Sequence, residues 1–297
     1  MHRVHELLLP QSLARAEALE HCRRYLSRRM RGFGLAQLGL PREGRDEWIA
    51  LLAWQRLGRE IAAQAHGFER RRGLDEFESE LEAALSERAR SPAGLALSFA
   101  VRRHQLPGEL LRRPLLEWKR DETLATFETR AALLAHARAL AAPEGRLLLL
   151  LAGAANPRNE ALSDALASAL QLTVWLADLG GELERGRLRI PVDELTRNGV
   201  ALDALRVGGE RAALARAVAA QVTWTRSLYA KGWELCRALG PWRGRELAFV
   251  LRWHAATLSA IEHARFDALR GPPPSGWLRL MACATASLAT SAAPRLA

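Results

Sequence analysis

Asp178 and Glu182 stand four residues apart in the stretch QLTVWLADLGGELERGRLRIP, residues 171–191. Side chains at i and i+4 share a helix face, so the spacing predicts two carboxylates aimed the same way. Such a pair suits a hard divalent cation. Magnesium is typically held by one or two carboxylates, with phosphate oxygens and water completing its shell. Arg185-Gly186-Arg187 follows within a turn, and guanidinium groups match phosphate in charge and shape. Carboxylates, a cation and arginines together describe a site for a diphosphate. An isolated acidic pair is more often a solvated helix face, but two features weigh against that here. Leu162, Leu166, Ala169, Leu170, Thr173, Val174 and Leu176 make the preceding helix apolar around most of its circumference, which predicts burial. Gly180-Gly181 lies between the acids, where each glycine costs a helix roughly 1 kcal/mol relative to alanine. A close approach, or a helix end, would account for that cost.

The same residues resemble the second aspartate-rich motif of the squalene and phytoene synthases, D-x-x-x-D-x-x-R-G-R followed by an apolar residue and proline. The chain reads Asp178-Leu-Gly-Gly-Glu182-Leu-Glu-Arg185-Gly186-Arg187, then Ile190-Pro191, and Gln171-Leu172-Thr173 upstream also fits. Glutamate in the second acidic place keeps the charge on a longer arm. Further segments in family order extend the resemblance over about residues 18–290. They are Leu74-Asp-Glu-Phe-Glu-Ser-Glu-Leu81, Ser91-Pro92 through Leu106-Pro107, Ala125-Thr126-Phe127-Glu128, and residues 141–146 with Gly145. The resemblance implies an all-α, single-domain bundle (1–297) of the isoprenoid synthase type. It implies head-to-head condensation of two prenyl diphosphates, with magnesium as cofactor and a prenyl diphosphate or other apolar isoprenoid as ligand. Asp178 and Glu182 would then be metal ligands, and Arg185, Arg187 and Gln171 would contact the diphosphate.

The family pairs this motif with a first one, D-D-x-x-D, on a facing helix. In the matching segment, WIALLAWQRLGREIAAQAH (48–66), those places hold Arg59, Glu60 and Ala63. Glu60 is the acid left to serve as a metal ligand. Arg59 is placed either to pair with phosphate directly or to neutralise Glu60 and Asp178. His136 stands where the family has tyrosine, and Thr123-Leu124 where it has Arg-Tyr. These departures lead to the expectation of a divergent member, weak or inactive in condensation. One alternative is an active squalene or phytoene synthase-type prenyltransferase with an unusual first motif. Another is a non-catalytic binding or assembly protein with a protein partner.

Helices must position all of these groups. Helical periodicity runs from end to end with no alternating strand, and predicts helices over 12–30, 46–66, 74–90, 93–104, 108–118, 128–141, 144–153, 159–184, 210–238, 243–270 and 276–290. Breaks are expected at Gly39-Leu40-Pro41, Gly67, Ser91-Pro92, Leu106-Pro107, Asn156-Pro157 and Gly271-Pro272-Pro273-Pro274, and Thr126 is a sensible helix cap. No linker or internal repeat divides the 297 residues.

The net charge is +10. Lys119 and Lys231 are the only lysines among 43 basic residues, a bias that reflects composition as much as a basic patch. No recognition helix dense in basic residues stands out, so nucleic acid is not an expected partner. The charge remains compatible with phosphate esters or an anionic membrane surface. Cys22, Cys236 and Cys283 have neither metal spacing nor a disulfide pattern, which places the chain by default in a reducing cytoplasm, with peripheral membrane association allowed. The most apolar run, nine residues over 147–155, is short of the roughly 20 that span a bilayer. G-x-S-x-G, H-E-x-x-H and Walker motifs are absent, and Gly32-Phe-Gly34 lacks the context of a dinucleotide site. Trp175, Trp224 and Trp233 are expected in the core or lining an isoprenoid channel.

Overall fold

Helix starts and stops follow the punctuation of the sequence. The computed structural model describes residues 15–30, 44–64, 67–121, 126–201, 211–270, 282, 283 and 285–287. Among these described residues all regular structure is helical. In chain order the helices are α1 (Arg15–Arg29), α2 (Arg45–Ala62), α3 (Phe68–Leu85), α4 (Pro92–His104), α5 (Gly108–Arg120), α6 (Arg130–Leu151), α7 (Pro157–Ala177), α8 (Leu179–Glu184), α9 (Val192–Arg197), α10 (Arg211–Gly232), α11 (Glu234–Ala238) and α12 (Gly240–His263), followed by a 3-10 turn (Ala268–Arg270). Ser91 caps α4, its Oγ accepting from the Gly94 N–H at 3.0 Å. Pro92 sits in the first turn of α4, where its missing N–H costs nothing. Gln105 ends the same helix in the left-handed conformation. The cap of α6 is Thr129, which accepts from the Ala132 N–H at 3.2 Å, rather than Thr126.

Several boundaries differ from the sequence expectation. Residues 128–141 and 144–153 form one helix, α6, through Pro143. Burial of Leu140, Ala141, Ala142, Leu147 and Leu149 outweighs the lost backbone donor. The expected helix 159–184 divides at Asp178 into α7 and α8, and 210–238 divides at Trp233. α3 begins at Phe68, ahead of residue 74, and α9 was not anticipated. The breaks at 39–41 and 271–274, the pair Thr123-Leu124, Ala125 and Gly32-Phe-Gly34 lie outside the described residues, as does most of 276–290.

The chain folds into two compact units. The first comprises the described residues through Arg120 together with Pro143–Asn156; the second comprises Asp121–Ala142 and the described residues from Pro157. In the first, α4 packs against α1, α2 and α3, and α3 packs against α5. Trp54 stacks on Phe77 at 4.1 Å, and Phe77 meets Trp118 edge-on at 6.2 Å. Gly58 makes room for this cluster, because a Cβ there would lie 2.5 Å from Trp118 and 2.9 Å from Phe77. Buried Arg70 donates from Nε to the Ala62 carbonyl at 3.1 Å and from Nη2 to the Trp118 carbonyl at 2.6 Å, satisfying carbonyls at the ends of α2 and α5.

In the second unit α7 packs against α10 and α12. Gly232 lets α10 close on α7, since its Cβ would meet Leu166 at 2.3 Å and the Leu162 carbonyl at 2.9 Å. Thr173 and Tyr229 share a buried hydrogen bond of 2.9 Å across the same pair of helices. α7 is broadly buried as expected, but polar Ser163, Asp164 and Ser168 are buried with it while Val174 is exposed. The three cysteines are free and buried. No helix among the described residues is long and apolar enough to cross a membrane.

Candidate diphosphate site

The site starts where α7 stops. Asp178 leaves the helical conformation (φ −116°, ψ 30°) and separates α7 from α8. The backbone nevertheless keeps its four-residue spacing, the Glu182 N–H donating to the Asp178 carbonyl at 2.8 Å. The two carboxylates therefore remain neighbours. Arg185 Nη2 donates to Glu182 Oε1 at 2.8 Å and also to Asp178 Oδ2, so one cationic nitrogen marks the point on which both acids converge.

The two glycines between the acids have separate causes. A Cβ on Gly180 would lie 2.3 Å from the Leu269 carbonyl oxygen, so this glycine admits the 3-10 turn against α8. A Cβ on Gly181 would lie 2.4 Å from Asp178 Oδ1 and 3.0 Å from Arg185 Nη1. That glycine leaves space for the acid–guanidinium group itself.

Gly186 then reverses the chain. With φ +74° it takes the left-handed conformation that glycine adopts without steric cost. The Arg187 N–H returns to the Glu182 carbonyl at 2.8 Å and the Gly186 N–H to the Leu183 carbonyl at 2.9 Å, the paired bonds of a Schellman helix end. This turn sends Arg187 and Arg189 back toward Glu182. Arg189 donates from Nε to Glu182 Oε2 at 2.9 Å and from Nη2 to Asp121 Oδ2 at 2.6 Å. Arg187 lies 3.0 Å from Glu182 Oε2 and 3.6 Å from Asp121 Oδ2. Leu188 and Ile190, between and beyond them, are buried. Past Pro191, the Val192 and Asp193 N–H groups donate to the Phe127 and Glu128 carbonyls at 2.8 and 3.0 Å, which fixes the loop that carries Phe127.

Aromatic rings enclose this ionic group. The Arg189 guanidinium lies 4.8 Å from the Trp175 ring centre and 5.7 Å from that of Phe127. His136 stacks on Trp175 at 5.7 Å and approaches Asp121 Oδ1 at 3.2 Å. Burial alone would raise the Asp121 pKa, but hydrogen bonds and charge from His136 and Arg189 together outweigh it and hold the carboxyl below its usual range. For Arg187 burial dominates and lowers its pKa, with Glu182 and Asp121 opposing. Burial acts against the Arg185 charge too, yet Glu182 and Asp178 more than compensate and raise it.

Of the residues singled out from sequence, Asp178, Glu182, Arg185 and Arg187 thus come together in the second unit. Gln171 is half-buried on α7, about two turns before Asp178. Arg59 and Glu60 belong to the first unit. There Arg59 pairs with Glu144, while Glu60 is held by Arg29 at 3.1 Å and Arg56 at 2.9 Å. Asp121 and Arg189 escaped the sequence reading. The alternation Arg187-Leu-Arg189 after a turning glycine was a usable signal for the second, whereas nothing local marks Asp121. The donor set at Asp178 and Glu182 fits a hard cation: two carboxylates face one point, and a guanidinium nitrogen stands in for the ion. Among the described residues no group of three or more His, Cys, Asp or Glu side chains is arranged to hold a metal.

Comparison with known proteins identifies the family and the fold. The family model described as squalene/phytoene synthase matches residues 26–279. A phytoene synthase of Thermus thermophilus is 31% identical over 177 residues, 59% of this chain and 60% of that protein. The chain's match thus spans about three fifths of that relative's length. The crystal structure of squalene synthase HpnC from Alicyclobacillus acidocaldarius is 28% identical, covering 85% of this chain and 96% of that one with a TM-score of 0.77. A dehydrosqualene synthase solved with a ligand superposes with a TM-score of 0.81 at 19% identity, over 93% of this chain and 96% of that one. The all-helical architecture is therefore the isoprenoid synthase fold, and the chain belongs to the squalene/phytoene synthase family.

Proposed function

We propose that this protein is an active prenyltransferase that condenses two prenyl diphosphates head to head, despite its unusual first acidic segment. One observation carries the proposal: Asp178 and Glu182 converge on a single cation position, with Gly181 leaving it space. The likeness to a squalene synthase and a phytoene synthase supports this reading over the weak or inactive one expected from residues 48–66.

Each residue has a distinct task in this scheme. Magnesium, on which the family typically depends, supplies positive charge to a departing diphosphate when bound. Asp178 and Glu182 would hold it. Arg185, at the edge of the cluster, would contact phosphate oxygens. Arg187 is only 3% exposed and is engaged by Glu182 and Asp121, so we assign it, with Arg189, to holding Glu182 in place. Gln171 lies farther back on the same helix as a further phosphate contact. The prenyl chain makes an apolar ligand, and delivery from a membrane surface is compatible with it.

A second reading, a divergent member with weak or no condensing activity that serves in binding or assembly, is favoured by the pairing of Arg59 with Glu144 in place of an acid. One assay separates the two. Purified protein is incubated with farnesyl or geranylgeranyl diphosphate and magnesium, and both diphosphate release and the joined product are measured. Product that disappears in Asp178→Ala supports the enzyme; diphosphate binding without product supports the second reading.

A further inference from the structure

We propose that Arg185 is a displaceable internal counter-cation, which keeps Asp178 and Glu182 closed to free divalent metal until a diphosphate draws its guanidinium away. This inference rests on the diphosphate site proposed above and adds an order of binding to it. The first support is charge balance. Asp121, Asp178 and Glu182 face Arg185, Arg187 and Arg189, three acids against three permanent cations. Such a cluster has no surplus negative charge with which to attract a metal from water.

The second support is that the three arginines differ in how they are held. The side chains of Arg187 and Arg189 are 3% and 2% exposed, and both also engage Asp121. The departure of either would take a permanent cation from that buried carboxylate. Arg185 is 22% exposed, and its partner Asp178 is 57% exposed. Its pair with exposed Asp178 is worth little, and its other partner Glu182, 9% exposed, keeps Arg187 and Arg189 when Arg185 swings out.

The third support is which oxygens its departure releases. Arg185 bonds Glu182 Oε1 and Asp178 Oδ2, whereas Arg189 and Arg187 engage Glu182 through Oε2 at 2.9 and 3.0 Å. Arg187 Nη2 also reaches Oε1, at a longer 3.3 Å. Withdrawal of Arg185 therefore frees Asp178 Oδ2 and leaves Glu182 Oε1 to the longer Arg187 bond alone, opening a common point while Glu182 stays anchored by its other oxygen. A diphosphate offers the departing guanidinium a bidentate partner of higher charge.

Manganese, a spectroscopic substitute for magnesium, tests the order directly. Equilibrium dialysis with electron paramagnetic resonance measures Mn2+ retained by the wild type, Arg185→Gln, Arg185→Lys and Arg185→Gln/Asp178→Asn, each with and without inorganic pyrophosphate. Circular dichroism verifies that every variant is folded. Without pyrophosphate, Arg185→Gln is expected to bind Mn2+ at least about tenfold more tightly than the wild type, the low end of what one adjacent charge does to the ionic equilibrium of a carboxylate. The gain should vanish in the double variant and be absent from Arg185→Lys, which keeps the charge. Pyrophosphate should let the wild type retain the metal. Equal Mn2+ affinity in wild type and Arg185→Gln, or an equal gain in Arg185→Lys, overturns the inference yet leaves the diphosphate site standing if pyrophosphate still recruits metal. Failure of every protein to retain Mn2+, even with pyrophosphate, overturns both.

Discussion

Replacing Arg189 with methionine should destabilise the protein by about 3 kcal/mol at pH 7. The arginine is 2% exposed, bonds both Glu182 and Asp121, and lies over Trp175. Methionine fills much of the same volume without the charge. Removing one partner of a buried ion pair costs roughly 3–5 kcal/mol, because the other charge is left uncompensated. Glu182 would keep Arg185 and Arg187, so the burden falls on Asp121. That carboxylate would retain only His136 at 3.2 Å and Arg187 at 3.6 Å within the cluster, which places the cost at the lower end of the range. Urea titration measures it, and thermal melting should show a fall of about 6 °C, at about 2 °C per kcal/mol for a chain of this size.

The pH dependence carries a sign. Asp121 has its native pKa depressed, so its stabilising contribution is present above the unfolded value of about 3.9 and lost as pH falls through the native value. Arg189→Met removes a main cause of that depression and leaves burial to raise the pKa. The gap between variant and wild type should therefore narrow as pH falls from 7 to 4. Adding Asp121→Asn to the variant should recover part of the loss, since a neutral amide needs no counter-charge. A variant within about 0.5 kcal/mol of wild type at pH 7, or a gap that ignores pH, refutes the reasoning.

Three further outcomes are expected. Gly180→Ala should cost about 1–2 kcal/mol in denaturant titration, because the new Cβ meets the backbone oxygen of Leu269 and overpacking outweighs the gain in helix propensity. Gly181→Ala meets only the ends of side chains, so it should leave stability within about 1 kcal/mol yet weaken pyrophosphate binding severalfold in calorimetry. Burial pushes the Glu246 carboxyl up to about 7, with Arg243 opposing. The stability it contributes is thus complete below its unfolded pKa and lost as pH rises through 7, and Glu246→Gln should match wild type at about pH 4 but exceed it by on the order of 2 kcal/mol at about pH 8.

The geometry of the second motif was legible because it is local. Four-residue spacing brought Asp178 and Glu182 together even though the helix itself breaks at Asp178, since the hydrogen bond from Glu182 to Asp178 bridges the break. The cost of Gly180-Gly181 pointed to a close approach or a helix end; the structure supplies two close approaches beside the helix break at Asp178. What the sequence hid is long-range. Asp121 meets Arg189 across 68 residues, and no local pattern encodes that pairing. Arg187, placed by its motif position at the diphosphate, is instead buried among carboxylates, because the Schellman turn at Gly186 folds it back. Thr129 rather than Thr126 caps α6, a three-residue error of the kind that propensity alone cannot avoid. Exposed Val174 and buried Asp164 likewise reverse what polarity predicts, Asp164 being compensated by Arg138 at 3.0 Å.

The most direct measurement of the central claim is turnover of farnesyl and geranylgeranyl diphosphate by the purified, folded protein at millimolar magnesium. Diphosphate release and the joined product are followed together. The account predicts head-to-head product from at least one substrate, dependent on magnesium and reduced by about a hundredfold or more in Asp178→Ala, as befits loss of charge stabilisation at the leaving group. Bound pyrophosphate with no product from either substrate would contradict it, and would leave a protein that kept the fold and the anion site without the reaction.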